Sequence, residues 1–300
     1  MSIDYRHDLL FGSFVTPTAH DPQHTVDLAV TSERAGLDLV TFQDHPYQPA
    51  FLDTWTLMSY VAARTERIAL SGNVLNLPLR PPAVLAQAAT SLDLLSGGRF
   101  ELGLGAGAFW DAVDAMGGRR LTPGQAVDAL AEAIEVIRQL WDTEQRDRTH
   151  LDGEYYRLRG AKRGPRAAHP INIWVGAYKP RMLALVGRAA DGWLPSINYL
   201  DGGPAALPEL NERIDDAAQA AGRRPADIRR LLNFATPRFS QSSAGLLNGP
   251  AGSWVDQLSA LALEHGISGF IIASDDPRTI EQYAAEVAPA VREIVARERA

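Results

Sequence analysis

The sequence predicts an α/β protein of the (β/α)8 class, a TIM barrel with insertion loops at the C-terminal face of its strands. Three observations predict it. Short apolar runs rich in β-branched residues alternate with longer stretches of helical period, the pattern of a parallel sheet wrapped by helices. Eight such pairs can be counted, and the runs are nearly continuously apolar, as strands covered on both faces are. The chain has 300 residues, against the roughly 250 that a barrel of this kind requires.

The strands expected in order are Leu9–Val15, Leu37–Phe42, Ile68–Gly72, Phe100–Leu104, Ile171–Val175, Gly192–Pro195, Leu231–Ala235 and Gly269–Ala273. The clearest helix runs from Thr122 to Trp141, with Val127, Leu130, Ile134, Ile137 and Trp141 on one face and Pro123 at its first position. Other helices start at Asp53, Pro82, Pro180, near Pro204, at Ser253 and at Pro277, where Asp276 is placed to cap free amides. Two stretches break the repeat. Residues Asp142–Pro170 are polar and turn at Asp152-Gly153 before the aromatic pair Tyr155-Tyr156, so a hairpin is expected before the fifth strand. Residues Pro237–Gly252 are rich in Ser, Gly and Pro and follow the seventh strand, the position of a mobile lid over the barrel mouth. No linker interrupts the chain, so residues 1–300 are expected to form one domain.

Composition removes several function classes. A formal net charge of −7 and a pI near 5.5 repel phosphate backbones and anionic head groups, so nucleic acid and membrane surfaces are not expected partners. With no cysteine there is no disulfide, no thiolate metal site and no cysteine nucleophile, and redox chemistry must rest on a bound cofactor. Met1 to Asp8 lacks a signal-peptide layout and no run reaches the ~20 apolar residues of a membrane span. A cytoplasmic protein is expected.

The candidate site residues lie at strand ends. Asp44-His45 follows the second strand, where barrel logic points side chains into the mouth and a histidine can exchange a proton near neutrality. Gly103-Leu104-Gly105-Ala106-Gly107-Ala108 nearly matches a dinucleotide fingerprint. It lacks the following amphipathic helix and the acidic residue that closes a second strand. Glycines there instead leave bare backbone against which a planar ring can lie. Gly176-Ala177, followed by Lys179-Pro180-Arg181, combines a glycine turn, a helix start and two cations, an arrangement that suits a phosphate. The alternative is that Lys179 and Arg181 are solvated surface charges. His20 and His24 do not form a zincin motif, and neither a G-x-S-x-G elbow nor a Walker loop occurs, so no metal site is expected.

The succession Phe42-Gln43-Asp44-His45, Leu70-Ser71-Gly72-Asn73-Val74 and Arg99-Phe100-Glu101-Leu102-Gly103-Leu104-Gly105-Ala106-Gly107 resembles the bacterial luciferase-like monooxygenase superfamily. Leu151-Asp152-Gly153-Glu154-Tyr155-Tyr156, Ile171–Ala177 and Gly187–Trp193 are similar to its later signatures, so the resemblance runs from about Phe11 to Ile272. It implies a barrel that binds reduced FMN or, in related branches, coenzyme F420. It places Asn73-Val74 on a third-strand bulge behind the ring, often through a non-prolyl cis peptide. It places His45 near the reactive ring edge, Gly105, Ala106 and Gly107 on the fourth-strand turn, and Gly176, Ala177, Lys179 and Arg181 at the ribityl phosphate. Deazaflavin-using relatives carry an acidic residue after the fourth-strand glycines; here Ala108-Phe109-Trp110 follows, with Asp111 as a partial substitute.

The expected activity is a monooxygenase using reduced FMN and oxygen on a small organic substrate, with a separate flavin reductase as a possible partner. The alternatives are F420-dependent hydride transfer and a non-catalytic flavin-binding barrel. Phe14, Phe109, Trp110 and Trp193 point to an aromatic cavity, and the resemblance implies a homodimer.

Overall fold

The computed structural model describes residues 4–300; of the stretch Met1–Asp8 read for a leader, residues 1–3 lie outside the described residues. Eight parallel strands form a closed ring: β1 Leu10–Val15, β2 Leu39–Phe42, β3 Ala69–Gly72, β4 Phe100–Gly105, β5 Ile173–Val175, β6 Gly192–Trp193, β7 Arg229–Phe234 and β8 Gly269–Ala273. Each strand pairs with the next, and β8 pairs back onto β1. Helices α1 Pro22–Ala35, α2 Thr54–Ala62, α3 Pro82–Ser96, α4 Pro123–Trp141, α5 Pro180–Ala189, α6 Leu207–Ala220, α7 Ala251–His265, α8 Pro277–Gln282 and α9 Ala288–Arg299 pack around it. A large apolar core fills the layer between ring and helices, while Leu39, Trp174, Leu194, Leu231 and Ile271 form a second cluster inside the ring.

Local chemistry sets the element boundaries. Helix α4 starts at a capping box, Thr122 receiving the Gln125 amide while the Gln125 side chain accepts from the Thr122 amide. Asp53 caps α2 and Asp276 caps α8. Helix α7 begins at Ala251, two residues before the expected Ser253, and α1 is capped by Asp21 with Pro22 at its first position.

The ring closes between β3 and β4 through one glycine. A Cβ on Gly103 would stand 1.9 Å from the Gly72 carbonyl oxygen, and the Gly103 amide donates to the Ser71 hydroxyl oxygen at 3.1 Å. The N-terminal segment packs beside the start of β7 and against α6, where Tyr5 bonds Asp215. Fully buried Arg230 donates to Asp215, Asn211 and the Ile228 carbonyl, and its guanidinium lies 4.6 Å from the Tyr5 ring centroid. Burial, helped by nearby Arg229 and Arg230, lowers the pKa of His7 to about 4 and keeps it neutral.

Of the two irregular stretches, the first is the expected hairpin, Thr149–Asp152 against Arg157–Ala161. Its turn is held by Glu132 of α4, whose carboxylate accepts from the amides of Glu154, Tyr155 and Tyr156. The second is a correction. Residues Pro237–Gly252 are not a free lid: Phe239 stacks on Trp254 of α7 at 3.9 Å, Leu247 is buried, and Gln257 of α7 bonds the Leu247 amide and the Gly245 carbonyl.

Two expectations follow. Gly103→Ala has no room to relax, because the obstacle is backbone. Urea denaturation is expected to show a loss of about 3 kcal/mol or more, the upper end of overpacking. Near the N-terminal end of β4, Glu101 lies 3.6 Å from His169 Nε2 and Asp93 2.7 Å from Nδ1, and together they raise the His169 pKa. A raised folded-state pKa adds stability that is complete below the unfolded value of ~6.5 and fades as pH rises through the folded one. The gap in melting temperature between wild type and His169→Asn is therefore expected to be widest near pH 6 and to narrow toward pH 8, with a constant gap as the contrary result.

Candidate active site

At the C-terminal ends of the strands, Asp44 is a fixed point. Its side chain is fully buried and accepts from Arg80 Nε at 2.7 Å, Arg80 Nη2 at 2.8 Å and the Asn76 amide at 2.8 Å. Arg80 also reaches Asp53 at 2.6 Å. Burial opposes the Arg80 charge, but the two carboxylates outweigh it and hold its pKa above the usual guanidinium value. Asp44 therefore holds the loop together. The expectation that it faces the mouth beside His45 as a catalytic group is corrected, since both its oxygens are already engaged.

What Asp44 steadies is a bulge. The chain leaves β3 at Gly72 and pairs with β4 again at Leu75–Asn76, with one more residue on this side than on β4. Asn73 and Val74 occupy the excursion, and the peptide bond between them is cis. Val74 is wedged into the mouth: a Cβ on Gly105 would sit 2.6 Å from its Cγ2, and one on Gly176 would touch both its methyls at 3.6–3.7 Å. Here the structure corrects the reading of the glycines. Gly105 gives its space to Val74 rather than to a ligand ring, and Gly107, at φ 103°, gives its space to Pro78 and Trp110. Ala106 is half-buried beside them.

Asn73 joins opposite sides of the barrel. Its Nδ2 donates to Asn233 Oδ1 on β7 at 2.6 Å and to Thr41 Oγ1 at 3.2 Å, while Asn233 Nδ2 returns a bond to Asn73 Oδ1 at 3.1 Å. Asn233 was not singled out in the sequence, where one asparagine in an apolar strand carries no signal. Nor was Asn76, whose buried Oδ1 has no partner, an acceptor left open for a ligand N–H.

His45 stands in an aromatic loop. Its Nδ1 is 2.7 Å from the Tyr47 hydroxyl, with Phe51 and Phe109 rings 6.3 and 5.7 Å away. Burial lowers the His45 pKa against the opposing pull of Asp44, so the ring is neutral at pH 7. Phe109 takes φ 53° and is 65% exposed. Asp111 is exposed and paired with Arg120, which leaves it unsuited to replace the missing acid. Trp193 is also corrected: it is fully buried, its Nε1 bonded to the Ala177 carbonyl at 2.9 Å, and it lines no cavity.

At the proposed phosphate end, Gly176 is half-buried and Ala177 buried, and Lys179 caps α5 without a side-chain bond. Arg181 is 61% exposed and its guanidinium pairs with Asp128 of α4 at 2.8 Å. The expectation of Arg181 as a ready phosphate cation is thereby corrected; backbone amides and Lys179 remain. Arg80→Met is expected to lower stability by about 3–5 kcal/mol, because it strands a buried carboxylate. Arg181→Ala should change it by less than ~0.5 kcal/mol. Equal losses for the two in urea titrations would contradict this assignment.

Comparisons with known proteins agree with this geometry. A protein from Nocardia farcinica named F420-dependent glucose-6-phosphate dehydrogenase is 30% identical over 92% of this chain and 88% of its own length. One of the same name from Mycolicibacterium fortuitum is 33% identical over 71% of this chain, and the match spans 64% of that relative's length. The fold matches that of an F420-dependent secondary alcohol dehydrogenase solved with an F420-acetone adduct, with TM-score 0.82 and 18% identity over 95% of this chain and 99% of the other. The family model described as luciferase-like monooxygenase matches residues 9–237, and the chain belongs to that family.

Proposed function

We propose that this protein is a coenzyme F420-dependent oxidoreductase that moves a hydride between the deazaflavin and a small organic substrate. The observation that carries the reading is the 30% identity, over 92% of the chain, to a protein named for F420 dependence. It favours F420 over the reduced-FMN monooxygenase expected first, and with FMN goes the need for a flavin reductase.

The residues present fit a planar N–H-bearing ring. Val74 offers an apolar ledge fixed by Gly105 and Gly176, and the open acceptor Asn76 Oδ1 lies two residues further on. The Gly176-Ala177 amides, Lys179 and the start of α5 would receive the phosphate. Bound there, the deazaflavin supplies two-electron hydride chemistry at its carbon 5. His45 handles the substrate proton, and its aromatic neighbours limit water around it.

A second copy of this chain is the proposed partner. Helices α2 and α3 contain a single charged residue, Asp93, which is buried, yet they expose Tyr60, Val84, Leu94 and Leu95. On a chain of net charge −7, an uncharged face fits its own copy about a twofold axis without repulsion.

Anaerobic titration of the apoprotein is expected to give a dissociation constant for F420 at least tenfold below that for FMN. Tighter FMN binding with oxygen consumption would overturn the reading. His45→Ala is expected to lower kcat by ~10²–10⁴-fold with cofactor affinity nearly unchanged. Leu95→Glu is expected to yield monomers in sedimentation at a concentration where the wild type is dimeric.

A further inference from the structure

The contact between His45 and Tyr47 defines which way the imidazole faces chemically. A hydrogen bond of 2.7 Å joins His45 Nδ1 and the Tyr47 hydroxyl, and it has two possible directions. A phenol is a good donor and a poor acceptor, and an unprotonated imidazole nitrogen is a strong acceptor. Burial, with the charge of Asp44, raises the Tyr47 pKa, so the hydroxyl keeps its proton at neutral pH. The ring itself is neutral. The charged groups of this loop do not reverse the preference, because Asp44 is bonded to Arg80 and Arg80 is balanced by Asp44 and Asp53. Phe51 and Phe109 complete the aromatic surroundings. The Tyr47 hydroxyl therefore donates to Nδ1, and the ring proton sits on Nε2. No described residue bonds Nε2, and it is not among the buried unpartnered atoms.

We propose that Tyr47 fixes His45 as the Nε2–H tautomer, and that this donor selects a small ketone or aldehyde as the substrate to be reduced. The proposal rests on the F420 reading of the same site. A neutral imidazole N–H polarises a carbonyl oxygen, whereas an alcohol awaiting oxidation needs an acceptor there. The step balances. The carbonyl carbon accepts a hydride, a proton with two electrons, from the reduced deazaflavin, which is oxidised. As the C=O π bond breaks, its oxygen takes the Nε2 proton, so one C–H and one O–H bond form. Nδ1 takes the Tyr47 proton in turn; the cycle closes when a solvent proton reloads Nε2 and Nδ1 returns its proton to the phenolate. The transfer runs downhill, since an alkoxide is about as basic as hydroxide and a phenolate is a much weaker base. Arg80, the cation tied to this loop, is held by two carboxylates and is not the group that would receive a charged substrate.

The test begins with the cofactor-free protein. Long-range ¹H–¹⁵N correlation spectra of histidine-labelled protein distinguish the two tautomers, and the His45 signals are assigned by their loss in His45→Gln. The expected result is protonated Nε2 and bare Nδ1 in the wild type, and a loss of that preference in Tyr47→Phe. A wild type protonated on Nδ1, or a Tyr47→Phe spectrum unchanged in tautomer, overturns the proposal. With reduced F420 and cyclohexanone, Tyr47→Phe is expected to lower kcat at least ~100-fold while leaving the F420 dissociation constant within twofold. If the Nε2–H form is found and F420 binds, but neither cyclohexanone nor acetone is reduced, the substrate class is wrong. If F420 does not bind the wild type, the cofactor reading fails and the substrate assignment with it, while the spectra still decide the tautomer.

Discussion

The mouth of this barrel depends on one buried carboxylate. Asp44 gathers a guanidinium and a backbone amide that belong to the segment after the third strand, and Arg80 extends the same grip to Asp53 at the start of α2. A buried ion pair of this kind contributes less to net stability than to choosing among conformations, because desolvation offsets much of the attraction. Its effect here is positional. It fixes where the third-strand bulge returns to the sheet, and the residue after Asp44 in the chain is His45. The proton-handling group and the apolar ledge formed by Val74 are thus held by the same short stretch.

Packing then completes what the ion pair begins. Val74 fills space that Gly105 leaves free and rests on Gly176, so three strand ends are keyed to one isopropyl group. A dense interior transmits small displacements instead of absorbing them. A larger residue at position 105 would therefore be felt at the bulge, at β5 and at the start of the turn that leads to α5.

The barrel was legible in the sequence because its signals are periodic and long. Eight apolar runs and the capping residues Thr122, Asp53 and Asp276 appear where strand and helix chemistry requires them. Where strand ends differ they do so by one or two residues, since backbone pairing rather than apolarity decides where a ladder stops. The site was legible in position but less so in role. Asn73 and Val74 lie on a third-strand bulge with a cis peptide between them, as the family resemblance implies, yet Asp44 turns inward and Arg181 turns to Asp128. Such pairings join residues tens of positions apart, and no local pattern announces them. The same holds for Trp193, whose size resembled a cavity wall but whose indole N–H is bonded within the core. Pro237–Gly252 has loop composition, but a stacked aromatic pair, buried Leu247 and the bonds from Gln257, all invisible to composition, fasten it.

The reciprocal amide pair between Asn73 and Asn233 spans the barrel from β3 to β7, and it carries a consequence for how this sequence can diverge. Changing either asparagine alone to an apolar residue leaves the other amide buried with unmet bonding groups, a loss of about 1–3 kcal/mol. Changing both to apolar residues of similar shape removes the need along with the partner and can be close to neutral. The two positions are therefore epistatic: the path between two viable sequences passes through an unfit intermediate. Across 160 positions of chain, drift at one is permitted only by drift at the other.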